Sequence, residues 1–536
     1  MEPSEVLLIG IDGGTFKILQ PGIASGQFPT FKKLILEGAS GVLTSTIPPA
    51  TSPAFPTLMT GKNPGKHGVF SFITVGETKR HCNAVDIAGK TLWQILSDHG
   101  KKSLVVNIPL TWPPEKIDGV MVTGMMTPPG SDYTYPPELA KMLDEVAQGY
   151  PVTFNPKFWE ASPKKFLKEI HNLIDKQYKA LSYLMDNYEW SLLAYLFRAT
   201  DIASHNLWGN AHQDVMGVYE HVDSVIGEIT KKTPNAHVFI FSDHGFGDYF
   251  KNFNLNLYLK AIGLLVEQRT LPISKTPRKK AGKSSANPVS TVLAKLGLYR
   301  SHFRAVLPRR LLVLMRRIFS QRFRKFFPIS HLEVDKHRSK AYYERVLLEN
   351  PSITLNASNK QEYEALVKRL KTELSALRDP DTGESVISEI YHRNEVVHGP
   401  YVERAPDIII LLNEGYKAST TLVGSQIIEE TGKTMGAHDI NGIFIAKGPF
   451  IRRSYKVNGI HIRDLAPTIL HLLGLPIPED LDGKMKGEIF IPNSPPAKRA
   501  PEFYVPVVEE REAPRQLTAE EKDEITSRLK KLGYID

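Results

Sequence analysis

Val6-Leu-Leu-Ile-Gly-Ile-Asp12 reads as an apolar strand that ends on an aspartate. Three further runs share its character: Ser103-Leu-Val-Val-Asn107, Leu192-Leu-Ala-Tyr-Leu196 and His237-Val-Phe-Ile-Phe-Ser-Asp243. None alternates apolar with polar residues, so each needs cover on both faces, the habit of strands in a parallel sheet. Residues 30–37, 91–99 and 163–185 lie between these runs and carry apolar side chains at helical spacing. Strands alternating with helices predict an α/β fold, and such sheets place their sites at the carboxyl ends of the strands. Asp12 and Asp243 close two of the runs, and Asp201 follows a third.

The chain has 536 residues, 41% of them hydrophobic and 23% charged. That composition excludes a wholly disordered chain, and the length excludes a small disulfide scaffold. The single cysteine, Cys82, cannot form an internal disulfide, which fits a reducing cytosol. No apolar run approaches the roughly 18 residues of a membrane span. The start, Met1-Glu-Pro-Ser-Glu5, lacks the basic segment of a secretory signal. There are 67 Lys and Arg against 58 Asp and Glu, a formal net charge of +9. The excess is local. Gln268 to Ser330 holds 16 Lys and Arg and no acid, which leaves 51 bases against 58 acids, or −7, elsewhere.

Within that block, residues 268–289 are rich in Lys, Pro, Ser and Gly and read as flexible. Residues 309–327 place Leu312, Met315, Phe319, Phe323 and Phe326 at helical spacing among Arg and Lys, the pattern of an amphipathic helix. The α/β rhythm resumes after about residue 340, with strands at Asp407-Ile-Ile-Ile-Leu-Leu412 and Gly442-Ile-Phe-Ile-Ala446. Residues 464–473 predict a helix with Pro467 in its first turn and Gly474 as its stop. Residues 494–516 read as a linker or extended arm, and 518–532 as a short charged helix.

Four segments carry metal-type ligands: Ile11-Asp12-Gly-Gly, Thr200-Asp201-Ile-Ala-Ser-His205, Ser242-Asp243-His244-Gly, and Gly436-Ala-His438-Asp. Asp201 and His205 are one helical turn apart and share a face. Asp243 and His244 sit where the chain leaves a strand. Together the segments offer the carboxylate and imidazole donors that suit Zn²⁺ and also Mn²⁺. Each fragment alone is weak, since an Asp-x₃-His is more often a surface pair. Their joint occurrence at strand ends is the signal. A fifth segment, Pro48-Pro-Ala-Thr51-Ser-Pro-Ala-Phe-Pro-Thr-Leu-Met-Thr60, puts a hydroxyl near the start of a short helix expected over 53–59, where backbone amides favour a phosphate. Taken alone, Thr51 reads as an ordinary N-cap. Beside a divalent metal its hydroxyl becomes a credible nucleophile.

In this ligand order the chain resembles the alkaline phosphatase superfamily, specifically the type I phosphodiesterase/nucleotide pyrophosphatase family. The resemblance runs from Val6 to about Lys484 and includes Asn107-Ile-Pro-Leu-Thr-Trp-Pro-Pro, Phe253-Asn-Leu-Asn and Asp464-Leu-Ala-Pro-Thr-Ile-Leu-His-Leu-Leu-Gly-Leu. It implies a three-layer sandwich with a mostly parallel central sheet, interrupted by the basic, partly helical insertion. It implies two divalent metal ions, zinc or alternatively Mn²⁺. Carried over by motif, Asp12, Thr51, Asp243 and His244 would hold one, and Asp201, His205 and His438 the other. Thr51 would be the nucleophile of a two-metal phosphohydrolase, with a phosphothreonine intermediate. Ser52 is the alternative nucleophile in the same turn, and otherwise a substrate-binding residue. Arylsulfatases are set aside because Thr51-Ser-Pro-Ala-Phe55 lacks their Cys-x-Pro-x-Arg pattern, and cofactor-independent phosphoglycerate mutase because its second domain is not recognisable. One position departs from the family: Phe72, in His67-Gly-Val-Phe-Ser-Phe72, stands where an asparagine would bind the phosphoryl oxygen.

The expected organisation is a discontinuous catalytic domain over 1–265 and 340–490, an insertion over 266–339, and an arm with a short helix over 491–536. The expected substrate is a small phosphate ester, with a phosphodiester or pyrophosphate ahead of a monoester. A phosphotransferase and a non-catalytic ligand-binding homologue are the alternatives. The basic block reads first as a structural insertion. Contact of 309–327 with an anionic membrane surface is a close second, and the apolar stripe disfavours nucleic acid. The expected location is cytoplasmic, with peripheral membrane association as the variant.

Overall fold

The computed structural model describes residues 5–74, 79–209, 212–270, 331–344, 351–424, 426–507 and 517–532. The first apolar run forms β1 (Val6–Ile11), followed by α1 (Phe16–Ser25), α2 (Pro29–Leu36), β2 (Ala39–Thr44), and α3 (Thr51–Thr60). Further on come α4 (Pro64–His67), α5 (Leu92–Asp98), β3 (Ser103–Val106), β4 (Gly119–Val122), β5 (Thr134–Tyr135), α6 (Leu139–Ala147), α7 (Pro163–Asn187), β6 (Leu192–Phe197), α8 (Ala199–Leu207), α9 (Gln213–Lys232), β7 (His237–Phe241) and β8 (Gly245–Asn254). β1 pairs in parallel with β6 on one side and β7 on the other, and β6, β3 and β4 continue the parallel run. Beyond β7 lies antiparallel β17 (Asn441–Lys447), then β2 and two short strands, Tyr455–Lys456 and Ile460–His461. Among the described residues this central sheet has ten strands.

Every residue of β1, β6 and β7 is buried, as continuous apolar strands require when both faces are covered. On one side, α7 turns Phe166, Ile170, Leu173, Ile174, Leu181 and Leu184 inward at the three- and four-residue spacing of a helix face, and α1, α2, α7 and α8 all pack against α9. The other helical group is α3, α5 and the helix Leu465–Leu472. The result is the expected α/β sandwich with a mostly parallel sheet.

A second core stands apart from this one. Its four-stranded sheet is built from Ala341–Tyr342, Ser352–Leu355, β13 (Ile387–His392) and β14 (Ile408–Leu412), backed by the helix Lys360–Ser375 through Leu366, Leu370 and Leu374. A three-stranded sheet joins the two cores: β15 (Gly415–Ser419) and β16 (Ile428–Asp439) flank β8. β8 therefore leaves the catalytic strand ends at one end and enters the second core through buried Phe253 at the other.

Some expectations shift in detail. α3 begins at Thr51, with Ala50 in the N-cap position, so Thr51 is the first helical residue and not the cap. The segment read as an arm contains a helical turn, Pro495–Lys498, and a strand, Phe503–Tyr504, paired with Ile477–Pro478. The last helix, Ala519–Leu532, is charged outside but sends Ile525 and Leu529 into the main core. The basic block is entered and left through an antiparallel ribbon, Glu267–Thr270 with His331–Val334. The amphipathic segment 309–327 lies outside the described residues. Among the described residues, no helix is long and apolar enough to cross a membrane.

Candidate metal centre and active site

The carboxyl ends of β1, β6 and β7, neighbours in the sheet, deliver five residues to one point. Asp12 follows β1. Asp201 sits in the first turn of α8, just after β6, with His205 one turn on. Asp243 and His244 fill the turn between β7 and β8. His438 arrives from outside the parallel run, near the end of β16, opposite Phe246 of β8. Thr51 arrives on the first turn of α3.

The turns are fixed by hydrogen bonds among these same segments. Asp12 N–H donates to the Phe197 carbonyl at 3.0 Å, and Thr200 Oγ1 donates to the Asp12 carbonyl at 2.6 Å. Gly13 N–H donates to Asp243 Oδ1 at 3.2 Å. Gly13 has φ +65°, and a Cβ there would come within 3.2 Å of the Phe246 ring, so a side chain would be strained and tightly placed. Ser242 Oγ donates to the Gly14 carbonyl at 3.0 Å and accepts from Ile443 N–H at 2.7 Å, which ties the β7 turn to β17.

Two donor groups result. In the first, Asp201 Oδ1 lies 3.2 Å from His205 Nε2 and 3.7 Å from His438 Nε2, and the two Nε2 atoms are 3.0 Å apart. The second gathers around His244 Nε2, with Thr51 Oγ1 at 3.2 Å, Asp243 Oδ2 at 3.4 Å and Asp12 Oδ1 at 3.7 Å. The His244 and His438 rings stack with centroids 3.6 Å apart, so the groups abut. Asp201 also belongs to both in distance, since donor atoms of Asp12, Asp201 and His244 fall within 4.8 Å of one another. His244 Nδ1 is 2.9 Å from the Gly245 carbonyl; that bond requires its proton on Nδ1 and turns the Nε2 lone pair toward the cluster.

The electrostatics are those of crowded, buried charge. Burial, then the Asp243 and Asp201 charges, push the Asp12 carboxyl well above its ordinary range. Burial acts the same way on Asp201, but His205, His438 and Arg198 overcome it and hold that carboxyl well below. Burial also depresses His244. Both Asp12 oxygens and Asp243 Oδ2 are buried without a hydrogen-bond partner. Buried carboxylate oxygens left unsatisfied are costly, and a divalent cation removes that cost. The donor set of oxygens and imidazole nitrogens thus fits a metal centre.

All seven residues marked in the sequence as metal ligands converge. Ser52 is buried at 5% exposure, and among the described residues no hydrogen bond or ion pair links it to either group. Phe72 is buried in the main core. One functional residue escaped the sequence reading. Arg198, between β6 and α8, places Nε 3.3 Å from Asp12 Oδ2 and Nη2 3.2 Å from Asp201 Oδ2. Its signal, a cation three residues before Asp201, is too common to stand out. A cleft of about 310 Å³ opens at His205 and His438 and is walled on its far side by Leu411, Asn413 and Lys417 of the second core.

A family profile described as type I phosphodiesterase / nucleotide pyrophosphatase matches residues 6–441. No curated protein sequence matches the chain. Among solved structures, phosphonoacetate hydrolase from Sinorhizobium meliloti 1021, in complex with phosphonoformate, is 12% identical with a TM-score of 0.50, over 87% of this chain and 94% of that one. Human ectonucleotide pyrophosphatase/phosphodiesterase 5 is 14% identical with a TM-score of 0.48, over 91% and 100%. The profile spans most of the chain, and the chain therefore belongs to the type I phosphodiesterase/nucleotide pyrophosphatase family, metal-dependent phosphoester hydrolases of alkaline-phosphatase-like fold.

Proposed function

We propose that the chain hydrolyses a small phosphodiester or pyrophosphate in two steps, through a phosphorylated Thr51. The observation that carries this reading is the position of Thr51 Oγ1, fully buried at the start of α3 and 3.2 Å from His244 Nε2. Asp12, Asp243 and His244, with Thr51, would hold one divalent ion, and Asp201, His205 and His438 a second, zinc in the first instance and Mn²⁺ as the alternative. Such ions supply Lewis acidity that makes a threonine hydroxyl acidic and offsets the charge of the phosphoryl group.

The chain's own residues account for the rest. The α3 backbone orients Thr51 Oγ1 into the cluster, and the amide of Ser52 at that N-terminus offers a donor to a phosphoryl oxygen in place of the missing family asparagine. Thr51 Oγ bonds to phosphorus as the bond to the leaving oxygen breaks, and the leaving group departs into the cleft beside His205 and His438. Water then cleaves the phosphothreonine and regenerates the hydroxyl. Room on the leaving-group side supports a diester or pyrophosphate over a monoester.

The single buried cysteine supports a cytosolic setting, and the basic stripe over 309–327 supports peripheral contact with anionic membrane. A panel of mono- and diester substrates on zinc- and manganese-loaded protein tests the reading. Faster turnover of diesters is expected; exclusive monoester turnover overturns the substrate preference, and no turnover of any phosphate ester overturns the function.

A further inference from the structure

Arg198 stands behind the two donor groups and touches a member of each. Its Nη2 donates to Asp201 Oδ2 at 3.2 Å, and its Nε forms an ion pair with Asp12 Oδ2 at 3.3 Å without hydrogen-bond alignment. In both carboxylates the oxygen it holds is the one turned away from the imidazoles. Asp12 Oδ1 faces His244 Nε2 at 3.7 Å, and Asp201 Oδ1 faces His205 and His438 at 3.2 and 3.7 Å. The arginine side chain is 8% exposed and both aspartates are fully buried, so these are contacts in a low-dielectric interior. Its Nη1 packs against Met125 Sδ.

We propose that Arg198 is a positioning residue that sets both carboxylates for metal, coupling the two donor groups through one guanidinium. The inference rests on the two-metal reading above. Two physical effects compete. A cation near a metal centre repels the metal, which would make removal of Arg198 strengthen binding. The guanidinium also restrains two buried side chains, Asp201 by a hydrogen bond and Asp12 by an ion pair, which would make its removal weaken binding. On the two aspartates the guanidinium meets the outer oxygens, so the carboxylates stand between it and the inner donors and blunt the repulsion. The aiming effect is therefore the larger, and partners of this kind are typically worth about 10–100-fold in metal affinity.

The test is Zn²⁺ affinity by competition with a chromogenic chelator, on full-length wild type, Arg198→Met and Arg198→Lys. Arg198→Met should bind zinc roughly 10–100-fold more weakly. Arg198→Lys keeps the charge without the fork, and should stay at least about 10-fold weaker than wild type even where Arg198→Met fails to fold. Zinc binding by either folded variant that equals or exceeds wild type overturns the inference. Wild-type protein that binds no zinc overturns the metal reading beneath it instead.

Discussion

Thr51 Oγ1 and His244 Nε2 lie 3.2 Å apart although 193 residues separate them in the chain. The first comes from a helix start beyond β2, the second from the turn after β7. Only the sheet order brings them together, because β17 spans between β2 and β7 and fixes their distance. In the proposed function, the pair is the point where nucleophile and metal donors would meet.

Asp201 is within donor distance of both groups, so it is the ligand whose loss should be felt by both. Asp201→Asn should lower metal content below that of the wild type and weaken zinc binding by roughly 100-fold or more, since a direct ligand counts for at least as much as an outer partner. Metal analysis after dialysis against dilute chelator checks this. Wild-type metal content in the variant would remove Asp201 from the ligand set.

Acid should destabilise the fold through His67. The residue is fully buried against Thr57 Oγ1, and burial pulls its pKa down to about 3. Between about pH 6.5 and pH 3 the unfolded chain takes up a proton that the folded chain refuses, so stability falls as pH falls through that window. The loss attributable to this one group at pH 4 is up to about 3 kcal/mol. Urea unfolding of wild type and His67→Gln at pH 7 and pH 4 isolates it. The variant should show the shallower pH dependence; identical dependences would assign the acid sensitivity elsewhere.

The second core is tied to the catalytic strands by a buried pair. Lys251, on β8, is 2.6 Å from Asp379 Oδ2, which also accepts from Tyr416 OH at 2.7 Å. Lys251 is 4% exposed and Asp379 is fully buried. Removing the buried carboxylate leaves Lys251 the exposed Asp381 at 3.2 Å, a solvent-screened partner, so Asp379→Ala should cost about 3 kcal/mol, the low end for a broken buried pair. Replacing both with similar-sized apolar residues should cost much less. Chemical denaturation of the single and double variants distinguishes these outcomes.

The parts legible in the sequence were those carried by local pattern. Unbroken apolar runs announced β1, β6 and β7, and the aspartates and histidines at their ends announced the ligands. The second core was not legible, because its small sheet draws short strands from 341 to 412 and closes against residues distant in sequence, among them Phe253, Leu255 and Leu259. Nor was the role of the last helix, where two buried residues, Ile525 and Leu529, are outnumbered by charge. Arg198 was hidden for a related reason. Its meaning lies in two carboxylates, one of them 186 positions away, and nothing local marks that meeting.

The most direct test of catalysis by Thr51 is acid-quench trapping of the phosphorylated enzyme on the millisecond timescale, using a diester labelled in the phosphoryl group, with peptide mapping of the label. Label on the peptide containing Thr51 is expected in the wild type and absent from Thr51→Ala, whose turnover should fall by several orders of magnitude. Undiminished turnover by Thr51→Ala, or label recovered on another residue, would contradict it.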